Sequence, residues 1–249
     1  MAEIDSESYI RLWLSQHVYL CELHSTVIAL DLARDSYVGI AGPTLQHLAS
    51  RIPGWPHVDS ESSPQPQVTS VELSESISQL IDEGILTSDE SRGKAATPVR
   101  FDSASSTIAL IPNTPRERRI RIRDIAIFLW ACLYAVWLLR CRSLQKALHI
   151  VAARKKAAAD PDTAVDVSAV ADLIAIFRRL RSFTFNAHRR CLFHALALTI
   201  FLSHYGVYPQ FVMGVKMDPW AAHSWVQMGE YVLDGTPEQV RFFTPILAV

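Results

Sequence analysis

From residue 17 to residue 40 the chain reads HVYLCELHSTVIALDLARDSYVGI, three short runs in which apolar and polar positions alternate, broken at His24-Ser25 and Arg34-Asp35. A period of two is the signature of a half-buried strand, so the three runs predict an antiparallel meander. Gly42-Pro43 then ends the sheet and opens a short helix, Thr44 to Arg51, with Leu45 and Leu48 on its inner side. Pro53 to Thr69 is rich in proline and serine with little to bury, which predicts an exposed loop. Beyond it Leu73, Ile77, Leu80 and Ile81 recur at helical spacing, predicting a helix from Val71 to Glu83 with Ser70 as N-cap and Gly84 as its stop. Ile85 to Thr87 reads as a short returning strand.

The second half has a different texture. Residues 88–114 are polar, with Gly93, Pro98 and Pro112 and an apolar island at Thr107 to Ile111, and read as a linker with one strand. Ile125 to Leu139, IAIFLWACLYAVWLL, is continuously apolar between two arginine-bearing flanks. At about 1.5 Å per residue this stretch covers roughly 22 Å, short of the roughly 30 Å hydrocarbon core of a bilayer, so a buried core helix is expected and no membrane span. The basic flanks keep peripheral membrane contact open. Ser143 to Lys156 and Val167 to Phe183 are further helical runs, and after Asn186 an apolar helix leads into short strands punctuated by glycine. Helices first and a small antiparallel sheet last define an α+β arrangement.

Composition narrows the classes. A 249-residue chain that is 49% hydrophobic builds a real core in one large or two modest domains. A formal charge of −1 gives no general attraction to nucleic acid. The Val71 to Glu83 helix carries Glu72, Glu75, Asp82 and Glu83 and neither lysine nor arginine, so it would repel a phosphate backbone. The arginine-rich run from Arg116 to Arg123 reads as a solvated collar or a dock for an acidic partner. Cys21, Cys132, Cys141 and Cys191 are scattered without framework spacing, and MAEIDSESYIRLW at the start contains no apolar signal core; both suit a reducing cytoplasm. There is no P-loop or Rossmann glycine pattern, so no cofactor of its own is expected.

Candidate chemistry concentrates between Arg190 and Gly235. Cys191 opens an apolar helix, where unpaired N–H groups and the positive end of the dipole favour a thiolate and can hold an oxyanion. His223 and Asp234 follow in the order of a base and its orienter. If Ala222 to Met228 and Tyr231 to Gly235 are strands joined at Gly229-Glu230, Met228 faces Tyr231 and Trp225 faces Asp234. His223 and Asp234 then share a face as diagonal neighbours, and the carboxylate fixes the imidazole tautomer. A three-residue turn would slip the register and separate them. Two blander readings stand beside this one. Cys191 is a small core residue and His223 a hydrogen-bonded strand residue, or Cys191, His194, His223 and Asp234 bind zinc, although no paired Cys-x-x-Cys or His-x-x-x-His anchors such a site.

The segments HRRCLFHALAL and GVYPQFVMGVKMDPWAAHSWVQMGEYVLDG closely resemble the leader peptidase of lasso-peptide biosynthesis, the B protein, over roughly the last sixty residues. The resemblance implies a transglutaminase-like, papain-like cysteine-protease domain, with the family's nucleophile on Cys191, its base on His223 and its acid on Asp234. His194 is no part of that triad. CELHSTVIALDLARDSYVGIAG and the helices after it resemble the PqqD-like, winged-helix-like leader-recognition domain fused to such peptidases. That implies a leader added as a strand beside Ser36, Tyr37, Val38, Gly39 and Ile40, with Leu73 and Ile77 of the following helix as further contacts. The implied organisation is recognition domain 1–89, linker 90–115 and peptidase 116–249. The implied substrate is a lasso-peptide precursor whose leader ends with a penultimate threonine, and the implied partner is an asparagine-synthetase-like macrolactam cyclase through which any ATP effect would act. Acyl transfer to an amine, as in a transglutaminase, and a non-catalytic carrier of leader peptides remain the alternatives.

Overall fold

The computed structural model describes residues 11–56, 70–97, 99, 101, 103–108, 119–158, 166–182 and 191–249. The chain divides into two compact units, Met1–Val99 and Arg100–Val249.

In the first unit, β2 (Val18–Leu23), β3 (Thr26–Asp31) and β4 (Ser36–Ala41) form the expected antiparallel meander. Its breaks fall where the polar pairs predict them. His24 takes φ 57° in the turn between Leu23 and Thr26, and Asp35 takes φ 52° just before β4. A second small sheet, not legible in the pattern, joins β1 (Trp13–Ser15) to β5 (Leu86–Thr87) and β6 (Gly93–Lys94). Helices α1 (Pro43–Arg51) and α2 (Ser70–Asp82) cover the core, into which Val27, Ala29, Leu45, Leu48, Ile77 and Leu80 project. Ser70, expected as a cap, is the first helical residue, and Ile81 is 37% exposed at the margin of the core. Gly84, at φ 69°, ends α2 as predicted, because a residue without a Cβ adopts the left-handed conformation at no steric cost. Of the predicted loop Pro53 to Thr69, residues 57–69 lie outside the described residues.

The stretch read as a linker contributes strands to both units. Its start supplies β6, and β7 (Ser106–Thr107) pairs in parallel with β10 (Tyr231–Val232) of the second unit. Residues 109–118, including the end of the predicted apolar island and the first part of the arginine run, lie outside the described residues.

The second unit sets α3 (Ile122–Cys141), α4 (Leu144–Ala158), α5 (Val167–Ser182) and α6 (Cys191–Ser203) with a five-stranded sheet. The sheet order is β11-β8-β9-β10-β7, with β8 (Gln210–Lys216), β9 (Ala221–Met228) and β11 (Thr244–Ala248) antiparallel to their neighbours. A single turn of helix, α7 (Pro237–Val240), precedes β11. Helix α6 is buried continuously from Phe193 to Leu202 and packs on α3 and β9, which explains why its sequence is apolar without a polar stripe. Phe128 of α3 meets Phe177 of α5 edge to face at 5.3 Å, and Phe177 meets Phe201 of α6 at a tilt at 5.4 Å, which ties the helices together.

Helix α3 corrects a length argument. It has 20 residues, about 30 Å of helix, long and apolar enough by itself to cross a bilayer. Its start is set by Asp124, whose carboxylate accepts the Arg121 N–H at 2.9 Å and the Tyr205 hydroxyl at 2.6 Å, so the flanking arginines do not delay the helix. Only a third of its most apolar window is buried. The expected core helix is therefore a core helix along one face.

Candidate active site

The hairpin β9–β10 carries two of the three candidate residues. Tyr231 pairs with Met228 and Val232 with Gln227, and the Leu233 N–H donates to the Val226 carbonyl at 2.9 Å, which is the register a two-residue turn requires. Gly229 makes that turn at φ 54°. Beyond Leu233 the strand ends, and Asp234 turns its carboxylate onto the Val226 N–H at 3.0 Å. The carboxylate thus takes the place a strand carbonyl would have held and stops the ladder at Val226, three residues short of His223.

His223 lies on the face of β9 that also bears Trp225 and Gln227. Its half-buried ring stacks near Trp225, with centroids 6.1 Å apart and planes at 17°, and meets Phe243 at 5.2 Å. Opposite His223 in β8 is Gly214, where a Cβ would come within 2.9 Å of the Trp225 ring. The missing side chain lets the indole lie across β8. Trp225 in turn donates its indole N–H to Gln227 Oε1 at 3.1 Å, and Gln227 donates to the Gly229 carbonyl at 2.8 Å, so ring, strand and turn are locked in series. Burial lowers the His223 pKa from its ordinary value and leaves the imidazole neutral, the form that accepts a proton.

Asp234 behaves in the opposite sense. Burial raises its pKa to about 6, although the Val226 N–H and the guanidinium groups of Arg181 and Arg178 favour the anion. The residue keeps some surface, yet enough protein surrounds the carboxyl for desolvation to win. Arg178 reaches from α5 to donate to the Leu233 carbonyl at 3.2 Å. Thr107 of β7 donates to the Gly235 carbonyl at 3.0 Å from the other side. Sequence reading missed both supports. Arg178 stood in view as part of a basic helix end, but nothing in one dimension ties that end to the hairpin.

Cys191 is the first residue of α6 and is half-exposed, and three positions further on His194 is buried in the same helix with Phe193 packed against its ring at 5.3 Å. Among the described residues no hydrogen bond joins Cys191 to His223 or His223 to Asp234, and residues 183–190 lie outside them. No three His, Cys, Asp or Glu side chains gather closely enough among the described residues to hold a metal ion, so Cys191, His194, His223 and Asp234 do not form the zinc set.

The candidate leader contacts lie in the first unit. Ser36, Tyr37 and Val38 are half-buried and Gly39 is exposed along β4, which is an edge strand in the order β2-β3-β4. Ile40 and Ile77 are 4% and 8% exposed and pack in the core. Leu73 and Val38 pack against that core from its margin.

Helix α6, which opens with Cys191, packs on β9, the strand that carries His223. Residues 130–248 match the transglutaminase-like superfamily, so a transglutaminase-like domain is found from within α3 to the end of β11. No curated protein and no solved structure matches the chain.

Proposed function

We propose that the protein is a cysteine peptidase that removes the leader from a ribosomally made lasso-peptide precursor. The observation that carries this reading is the hairpin register, which sets Asp234 beside the strand of His223 within a transglutaminase-like domain whose helix α6 opens with Cys191. The Cys191 thiol attacks the carbonyl at the leader's end while His223 takes its proton. The N–H groups at the start of α6 receive the developing oxyanion, and His223 returns the proton to the departing amine of the core peptide. Water then hydrolyses the thioester, and Asp234 stabilises the imidazolium in both steps. The first unit holds the leader as an added strand along β4, with Ser36 to Gly39 as the edge and Leu73 beside it. The freed amine passes to an asparagine-synthetase-like cyclase, whose nucleotide accounts for any ATP dependence.

Acyl transfer to an amine is the second reading, favoured by the Trp225 and Phe243 rings packed against the half-buried His223, which narrow the approach of water to it. Incubating the precursor with wild-type protein and with Cys191→Ala, followed by intact-mass measurement, tests both. Hydrolysis yields a leader carrying one added water, transfer yields a leader carrying the amine, and the alanine variant yields neither. Cleavage by Cys191→Ala at the wild-type rate would overturn the assignment.

A further inference from the structure

Helix α3 presents to solvent a face as apolar as the one it buries. Phe128, Ala131, Ala135 and Leu138 point into the core, while Ile122, Leu129, Trp130, Leu133 and Trp137 point outward with exposures of 86, 48, 54, 68 and 41%. With Ile125, 40% exposed, Ile122, Leu129, Leu133 and Trp137 recur every three or four positions and form one continuous stripe, with Trp130 along its edge. Single apolar residues on a surface need no explanation, but a contiguous stripe of large ones marks a contact. Trp130 stacks on Tyr134 at 5.8 Å and Tyr134 on Trp137 at 5.7 Å, making an aromatic plate along the C-terminal half of the helix.

Charge identifies the occupant. Exposed arginines stand at both ends of the stripe, Arg119, Arg121 and Arg123 before it and Arg140 and Arg142 after it, with Arg142 lying over the Trp137 ring at 5.1 Å. The one acidic residue of α3, Asp124, is buried against Tyr205 and offers nothing outward. Two copies of the helix laid face to face would bring arginines against arginines whether parallel or antiparallel, so self-association through this face is opposed at both ends. A surface of anionic headgroups satisfies both ends at once. Trp and Tyr side chains favour the headgroup layer, the aliphatic stripe enters the acyl boundary, and arginine pairs with phosphate.

We propose that the second unit docks peripherally on an anionic phospholipid surface through the outward face of α3. The helix lies flat, because its stripe runs along the axis and its other face stays in the core. The proposal rests on none of the chemistry assigned to Cys191, His223 or Asp234.

Flotation of the full chain with extruded vesicles tests it. The protein should float with phosphatidylcholine vesicles containing phosphatidylglycerol, float poorly with phosphatidylcholine alone, and be released as salt rises. Its tryptophan emission should shift to the blue on the anionic vesicles. Leu129→Glu with Leu133→Glu should remain at the bottom of the gradient with an unchanged circular dichroism spectrum, since both side chains are exposed. Arg140→Glu with Arg142→Glu should weaken binding to anionic vesicles about tenfold or more. Failure of the wild-type chain to bind either vesicle would overturn the proposal, as would binding that the double-glutamate variant at Leu129 and Leu133 retains. A concentration-dependent dimer abolished by that variant, with no vesicle binding, would assign the stripe to a second copy and likewise overturn it.

Discussion

Two aspartates of this protein, Asp31 and Asp234, are held in contrasting ways. Asp31, at the end of β3, is 1% exposed and accepts the N–H groups of Ala33 and Arg34 at 2.8 and 3.1 Å, with Arg34 Nη1 at 3.5 Å and His17 Nε2 at 3.4 Å. One of its oxygens is held by its own turn, and the other, buried, faces the Arg34 guanidinium. Asp234 receives the Val226 N–H, its arginines come from a different helix, and burial still outweighs them. The closer Asp–His approach is therefore the structural one. A carboxylate anchored in its own turn organises a fold, whereas one whose charge burial opposes is a candidate to do chemistry.

The largest effect that sharpens this contrast is on turnover. Asp234→Asn should lower precursor turnover by about a hundredfold to ten-thousandfold, because a neutral amide neither fixes the His223 tautomer nor stabilises its cation. Leader affinity, measured by fluorescence anisotropy, should be unchanged. Stability should move the other way. With its folded pKa raised to about 6, Asp234 binds more protons in the native state than in the unfolded chain between about pH 4 and pH 6, so stability falls as pH rises through that window. Above it the ionised carboxylate costs roughly 3 kcal/mol, as an order of magnitude. Denaturant titrations of Asp234→Asn should lose that slope and show equal or greater stability at neutral pH. Asp31→Asn should do the reverse, costing about 1–3 kcal/mol while turnover per folded molecule is retained. Exchanged outcomes would break the comparison.

Removing residues 1–99 should come next in size. The remaining unit should process precursor about a hundredfold more slowly, since the leader is no longer held at high effective concentration, while Cys191 still reacts with a small alkylating agent. Equal turnover would move recognition into the second unit. Gly214→Ala should cost about 1–3 kcal/mol by forcing the Trp225 ring off β8, read as a lowered Tm, with a smaller loss of turnover as the support beside His223 shifts. The smallest effect is on the pH profile. Because burial lowers the His223 pKa, its unprotonated form persists below the ordinary histidine range, and the acid limb of kcat/KM should have its midpoint below 6.5.

Much of this arrangement was legible before the fold. Alternation gave the meander because β2, β3 and β4 each keep one face on the core, and Gly229-Glu230 gave the hairpin register because turn length leaves no other pairing. The strands β1 and β6 escaped because two or three residues are too few to show a period, and each is stabilised by a partner distant in sequence. Helix α3 misled on length because charged residues at its start are good helix formers once Asp124 caps it. The end of Asp234's strand was invisible for a related reason. A side chain that replaces a strand carbonyl leaves no mark in the hydrophobic pattern.

The central claim is that Cys191 is the reactive thiol of the site, and competition among the four cysteines tests it most directly. Cys21 and Cys132 are buried, and burial pushes their thiols up to about 12 and about 11; Cys141 is exposed and Cys191 half-exposed. On accessibility alone Cys141 would be modified first. Limiting iodoacetamide followed by peptide mapping should instead find Cys191 carboxymethylated ahead of Cys141, with precursor cleavage lost in proportion to that one modification and with the rate reduced in His223→Ala. Preferential labelling of Cys141, or full cleavage by protein already alkylated at Cys191, would contradict the account.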